Sequence, residues 1–382
     1  MGKHLVLVGG GHAHLTSLKA IPSFRNRGHQ VTLISLSPYQ YYSGMGPGLL
    51  SGIYQPQEVR FHVRRLAENQ GATFVKDRVV KIDPDKKFLL LSSGESVTYD
   101  VVSFNTGSEV PIGSLTISPG ENVIPVKPII NLLRVRSLLL EAIKENRVMN
   151  LVVIGGGPGG IEISANLWRL FHENRGKATI TVLGGKKLMG DAPDKVRFLV
   201  LNSLVGRGLN VIEGTYAKAI ENGMVTLGDS RKVPFDIALV ATGTRPPSLF
   251  RDSGLPTSAD GGLLVNSHLQ SVRYTNIFGG GDCASLEAQS LARVGVYAVR
   301  QNPILYHNLL AALEGGNMLT FAPQKFFLLI LNMGNGQGIF WKKNWVWKSR
   351  LAFLLKNYID KKFMRKFQIS GELNEPYNGS DE

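Results

Sequence analysis

His12 and His14 stand one residue apart, directly after three glycines, in the stretch HLVLVGGGHAHL. Two imidazoles so placed could share a metal ion, and a glycine turn so placed could cradle a phosphate. A metal would need further ligands. His4, His29, His62, His172, His268 and His307 form no recognisable metal motif, and the one cysteine, Cys283, adds no cluster. The phosphate reading needs only an apolar strand before the turn and a helix after it, because the N–H groups and dipole of a helix start hold an anion. The sequence offers both, so the metal reading is set aside in favour of the phosphate cradle.

The elements that would position such a cradle occur twice. HLVLVGGGHAHLTSLKAI returns as NLVVIGGGPGGIEISANL, each an apolar strand, a glycine turn and an opening helix. Gly155, Gly157 and Gly160 complete G-x-G-x-x-G, whereas Gly9 and Gly11 are followed by His14 at the third position. The first glycine makes the tight turn and the second admits a pyrophosphate to the backbone. The third only eases helix packing, so it is the one most readily lost. Each unit has a downstream echo, YDVVSFNTGSEVP and FDIALVATGTRPP, ending in Thr106–Gly107 and Thr242–Gly243. Two nucleotide-binding units of similar build are the economical reading.

The bulk properties narrow the chemistry. A chain of 382 residues is long enough for two or three domains. A lone cysteine excludes an intrachain disulfide, a C-x-x-C redox pair and a thiolate-rich metal site. No secretory leader is expected, the valine at position 6 leaves Met-Gly short of a myristoylation signal, and no apolar run reaches the ~18–20 residues of a membrane span. The net charge of +14 is uneven: residues 340–368 carry nine Lys/Arg against one acid, Asp360. In that stretch Trp347, Leu351, Leu354, Leu355, Tyr358, Ile359 and Phe363 recur near helical spacing, which predicts a basic amphipathic helix suited to an anionic membrane surface. Packing of its apolar stripe on the protein's own core is the alternative. Nucleic acid is disfavoured, since no nucleic-acid-binding motif accompanies the charge.

Together with a third anchor, TNIFGGGDCA, these units resemble the pyridine nucleotide–disulfide oxidoreductase superfamily. Within it the chain most resembles the type II NADH dehydrogenase-like group, in particular the flavoprotein that also occurs fused to selenide, water dikinase. GGGHAH, YSGMGPGLLSG, RVGVYAVRQNPILYHNL and IDKKFMRKF carry that likeness, which spans residues 1 to about 368. It implies an α/β fold of two Rossmann-like domains: an FAD-binding domain from residues 1–118 and 262–325, an NAD(P)H-binding domain at 119–261, a membrane-association segment at 326–368 and a mobile acidic tail at 369–382. By the same resemblance Gly9, Gly11, Ala13 and His14 form the FAD diphosphate loop. Val79 meets the adenine, Thr106 and Gly107 close the crevice, and Asp282 bonds the ribityl chain. Gly295 opens a helix whose N–H groups face the flavin and stabilise charge on it.

In the second unit Gly155, Gly157, Gly160, Thr242 and Gly243 would bind NAD(P)H, and Glu162 matches an acidic residue beside the nicotinamide. An ordinary helix carboxylate, satisfied by the dipole, is the other reading of Glu162. The chain departs from the pattern at the carboxylate that usually grips each adenosine ribose. Ser35 ends VTLIS in the first unit, where its hydroxyl can bond the ribose; the second has Gly184, Gly185, Lys186 and Lys187, whose lysines would attract a 2′-phosphate. NADH and NADPH therefore both remain open. With one cysteine, reduction of a disulfide or of sulfide-linked cysteines is excluded. The expectation is an NAD(P)H:quinone oxidoreductase, cytoplasmic and peripheral on the inner face of the cell membrane. A soluble reductase serving selenium or other metabolites, a flavin sensor, and a homodimer are the alternatives left open.

Overall fold

The computed structural model describes residues 2–375 and 377. Two five-stranded parallel sheets dominate it; four strands of each share one order, and the fifth, at the edge beside the Thr-Gly strand, comes last in the chain in the first sheet and first in the second. In the first, the strands run Ile277–Gly279, Val101–Phe104, His4–Val8, Gln30–Ser35 and Thr73–Lys76; in the second, Val123–Pro125, Ile237–Val240, Val148–Ile154, Lys177–Leu183 and Asn210–Ile212. The strand that leads into each glycine turn lies at the centre of its sheet. These central strands read as unbroken apolar runs because helices cover parallel sheets on both faces. Leu5, Val6, Leu7, Leu151, Val152 and Val153 are all fully buried. The repeat goes further than the glycine turns. Each unit also carries a three-stranded antiparallel meander between its outer parallel strand and its Thr-Gly strand, at 79–98 and at 217–234. The fold is the two-dinucleotide-binding flavoprotein type.

The C-terminal segment, expected to associate with a membrane and with core packing as the alternative, is built into both units. An antiparallel sheet of Leu329–Asn332, Gly338–Lys342 and Trp345–Ser349 buries Leu331, Met333, Ile339 and Val346 in the core of the second unit. The helix Arg350–Phe367 then sends Met364 and Phe367 into the core of the first. Trp347, expected on that helix, lies on the preceding strand and stacks on Phe340 at 3.7 Å. The boundary is Ser349, whose Oγ accepts from Ala352 N at 3.0 Å and caps the helix start.

The tail also departs from expectation over the residues described. Glu372 is fully buried and accepts from His62 N at 3.1 Å, while Glu375 meets Arg65 at 3.1 Å. Backbone N–H groups thus hold Glu372, and Arg60 and Arg65 hold Glu375. Residues 376 and 378–382 lie outside the described residues.

Candidate active site

The carboxyl ends of both central strands open into one cleft of 1320 Å³, the place where doubly wound sheets bind nucleotides. It exceeds the usual range for a single small-molecule site, ~300–1,000 Å³. Its walls carry Gly9, Gly11, Ser35, Val79, Thr106, Gly107, Asp282 and Gly295 from the first unit, and Gly155, Gly157, Glu162, Thr242 and Gly243 from the second. The structure brings all of these expected residues onto one surface.

Five expected site residues stand off it. His14 is fully buried behind the turn, with Nδ1 2.7 Å from Gly9 O and Nε2 2.8 Å from Ser103 Oγ. It fills the place of the third glycine and ties turn to sheet. Ala13 lends its N–H to Asn105 Oδ1 at 2.9 Å, which takes that donor from any diphosphate. Gly160 is pressed against Gly155, where any Cβ would overlap the Gly155 carbonyl. Lys186 and Lys187 lie outside the cleft wall, and Lys187 pairs with Asp194 at 3.3 Å on the exposed surface. Gly184 and Gly185, just before them, do line it, together with the ring of Tyr216.

The electrostatics concentrate in two places. Near the first turn, Asp282 Oδ2 accepts from Lys127 Nζ and from Ser108 Oγ, both at 2.8 Å. Burial alone would raise this carboxyl; the Lys127 charge and the hydrogen bonds outweigh it and hold Asp282 low, hence ionised. At the seam between the units, Glu162 Oε1 accepts from Asn332 N at 2.7 Å. Desolvation pushes Glu162 up to about 7, against the pull of Lys356. Lys356 bonds Asp360 Oδ2 at 2.8 Å and Gly44 O at 2.7 Å. Burial disfavours its charge, but Asp360 and Glu162 more than offset that, and its net shift is upward. Tyr42 Oη donates to the other oxygen of Asp360 at 3.1 Å. Glu162 is therefore a cavity carboxyl near its midpoint at neutral pH, with a buried cation close by.

A model of the family described as pyridine nucleotide-disulphide oxidoreductase matches residues 3–308. The chain belongs to that family. Among curated relatives it is 28% identical over 285 residues to ferroptosis suppressor protein 1 of Taeniopygia guttata, covering 70% of this chain and 71% of that one. It is 25% identical over 332 residues to the demethylphylloquinone reductase NdbB of Synechocystis, covering 82% and 81%. Among solved structures, NDH2 of Plasmodium falciparum in complex with NADH superposes with a TM-score of 0.80 at 14% identity, over 97% of this chain and 98% of that one.

As a member of the pyridine nucleotide-disulphide oxidoreductases the protein is an enzyme that uses FAD and NAD(P)H. Its own residues fit those groups. Gly9 has φ +87° and packs against the Asn105 carbonyl, so only glycine can make that turn. Around Gly157 and Gly159 no atom stands within 4 Å of a would-be Cβ, which leaves the second turn open to a diphosphate. Sequence reasoning missed Lys127, Asn105 and the Lys356–Asp360 pair. Asn105 was findable, since the two echoes differ there: NTG in the first, ATG in the second. Lys356 and Asp360 stand at i, i+4 on one helix, a visible signal. Lys127 had none.

Proposed function

We propose that the protein is an NAD(P)H:quinone oxidoreductase that works at a membrane surface, with FAD held by the first unit and the nicotinamide coenzyme by the second. One observation carries this reading: Glu162 on the cleft wall stands near Lys356, whose pair with Asp360 and Tyr42 lies on the inner face of a helix whose outer face is apolar and basic. Leu351 is 73% exposed and Tyr358 62% exposed, with Trp345 at 72% on the adjoining strand. Lys342, Lys343 and Lys362 are exposed on the same segment. Among the described residues no helix is long and apolar enough to cross a membrane, so association would be peripheral, at the anionic inner face of the cell membrane. The names of two relatives, the demethylphylloquinone reductase and an external NAD(P)H-ubiquinone oxidoreductase of Arabidopsis thaliana, support a quinone as acceptor.

FAD, when bound, would supply the redox chemistry that links a hydride from NAD(P)H to the two-electron reduction of a quinone. The balance, NAD(P)H + H⁺ + quinone giving NAD(P)⁺ + quinol, takes up one proton. Glu162, half protonated near neutral pH, holds a proton on its carboxyl inside the cleft, and Lys356 fixes the local charge. In the proposed roles Gly9, Gly11, Ser35, Val79, Thr106 and Gly107 hold FAD, and Asp282 meets its ribityl hydroxyls. Gly295 turns helix N–H groups towards it; Gly155, Gly157, Thr242 and Gly243 hold the coenzyme, with Glu162 beside the nicotinamide.

Anaerobic mixing with NADH or NADPH, followed by a panel of quinones, tests the reading. Rapid bleaching of the flavin and reoxidation by a quinone are expected. No bleaching by either coenzyme would point to a flavin sensor, and bleaching without reoxidation by any quinone to a reductase with another acceptor.

A further inference from the structure

His12 is the residue left unused by this chemistry. Its backbone belongs to the first glycine turn, but its ring reaches the cleft wall beside Ser43 and Gly295. A Cβ placed on Gly295 would lie 3.9 Å from His12 Nδ1 and 3.8 Å from Ser43 Oγ, so Nδ1 faces the open start of the long helix. Elsewhere the ring meets Tyr42 and Phe363 edge to face, with centroids 5.2 Å and 6.0 Å away. Nε2 has neither accessible surface nor a polar partner. Desolvation holds the ring near a pKa of 4, with Asp282 opposing and Lys127 adding to that shift, so the imidazole is neutral at working pH.

A neutral imidazole carries one N–H and one lone pair. Against aromatic faces an N–H is attracted and a lone pair repelled. With Nε2 sealed from solvent and Nδ1 at the cleft, the tautomer protonated on Nε2 is the one that offers a lone pair to a ligand donor. The ring contacts with Tyr42 and Phe363 are ones that an apolar aromatic ring can also make, so they alone give no reason for a polar ring here.

We propose that His12 Nδ1 accepts a hydrogen bond from a donor on the flavin half of FAD, a ribityl hydroxyl or the ring N–H, which makes His12 a cofactor-positioning residue. The proposal rests on the FAD site of the first unit and is independent of which acceptor takes the electrons. It is tested on the full-length chain stripped of flavin and titrated separately with FAD, FMN and ADP, followed by calorimetry. His12→Phe is expected to weaken FAD and FMN by about tenfold, the scale of one lost hydrogen bond, and to leave ADP within about twofold. His12→Asn, which restores an acceptor, should recover part of the loss. Should the phenylalanine chain fail to fold, the near-isosteric pair His12→Asn and His12→Leu makes the same comparison, with Asn the tighter binder of FMN. Unchanged FAD and FMN affinities in His12→Phe would overturn the proposal, as would an equal loss for ADP or an Asn variant no better than Leu. A wild-type chain that takes up no flavin would instead overturn the FAD reading itself.

Discussion

The two glycine turns follow the central strands of sheets that share the order of four strands, yet they are held differently. The first is locked from behind. Asn105 Oδ1 takes the N–H of Ala13, its Nδ2 donates to Gly280 O at 2.6 Å, and His14 bonds both the turn and the sheet. The second has Pro158 at the start of its helix, Ala241 in place of Asn105, and open space around Gly157 and Gly159. A turn fixed by side chains suits a ligand that stays. A turn of bare backbone suits one that exchanges at every turnover, which matches a resident flavin and a passing coenzyme.

The largest expected effect comes from filling each turn in its own way. Gly11→Ala drives a Cβ into Asn105, side chain and backbone alike, and overpacking of this kind costs ~1–3 kcal/mol. Loss of yellow colour on purification is the expected outcome. Gly160→Ala drives its Cβ into the Gly155 carbonyl instead, so flavin content should stay near stoichiometric while flavin reduction by NAD(P)H falls at least tenfold. If both variants lost flavin equally, the two turns would not divide the ligands as proposed.

The comparison extends one turn along each helix. Where the first unit has Thr16, its N–H held by Asn302 Oδ1 at 2.7 Å, the second has Glu162. A carboxyl whose folded pKa lies above its unfolded one binds its proton more tightly when folded. The burial of Glu162 therefore costs nothing below about pH 4.5 and progressively more up to about pH 7. Glu162→Gln should match the wild type near pH 4.5 and exceed it above pH 7 by up to about 3 kcal/mol, read from denaturant unfolding. It should also flatten the pH dependence of flavin reduction around 7. A stability gap independent of pH would show that the carboxyl is not held near neutrality.

The C-terminal segment, from the strand Gly338–Lys342 through the helix Arg350–Phe367, has a packed side and an exposed side that also contrast. Removing it whole would strip Met364 and Phe367 from the core, so charge reversal of exposed residues is the sharper probe. Lys342→Glu, Lys343→Glu and Lys362→Glu together should cost ~1 kcal/mol each at an anionic surface, roughly a hundredfold in liposome binding. High salt should weaken the wild type in the same way, and reduction by NAD(P)H should be unaffected. Undiminished binding by the triple variant would remove the basic face from the interaction.

How much of this was legible in the sequence follows from how local each signal is. The glycine turns, the Thr-Gly echoes and the basic apolar stretch are contiguous patterns, and they located both sheets and most of the cleft wall. Patterns of that kind say nothing of partners hundreds of residues apart. That Lys356 bonds Gly44 O and that Lys127 bonds Asp282 are products of folding, with no trace in spacing. Trp347 shows a subtler failure: its spacing suits a helix, but Ser349, two residues later, caps a helix that starts only at Arg350. The tail fails for the opposite reason. Acidic composition reads as solvated until a basic wall of Arg60 and Arg65 is folded up to meet it.

The smallest expected effect concerns coenzyme choice, where the two units differ at the end of their second strands. Ser35 lines the cleft directly, whereas Gly184 and Gly185 do so with no side chain, and Lys186 and Lys187 stand just beyond. Lys187 already pairs with Asp194, an exposed contact worth little and readily exchanged. Either lysine would act on a 2′-phosphate as a screened point charge, without the fork of an arginine. Lys186→Glu with Lys187→Glu is therefore expected to raise KM for NADPH only about three- to tenfold and to leave NADH nearly unchanged, at low ionic strength. The split should shrink at 0.5 M salt, because a through-solvent attraction is screened there. Equal losses for both coenzymes would mean that the lysines serve the loop and not the phosphate, and would leave Tyr216, whose ring lies against Gly185, as the feature that shapes this end of the cleft.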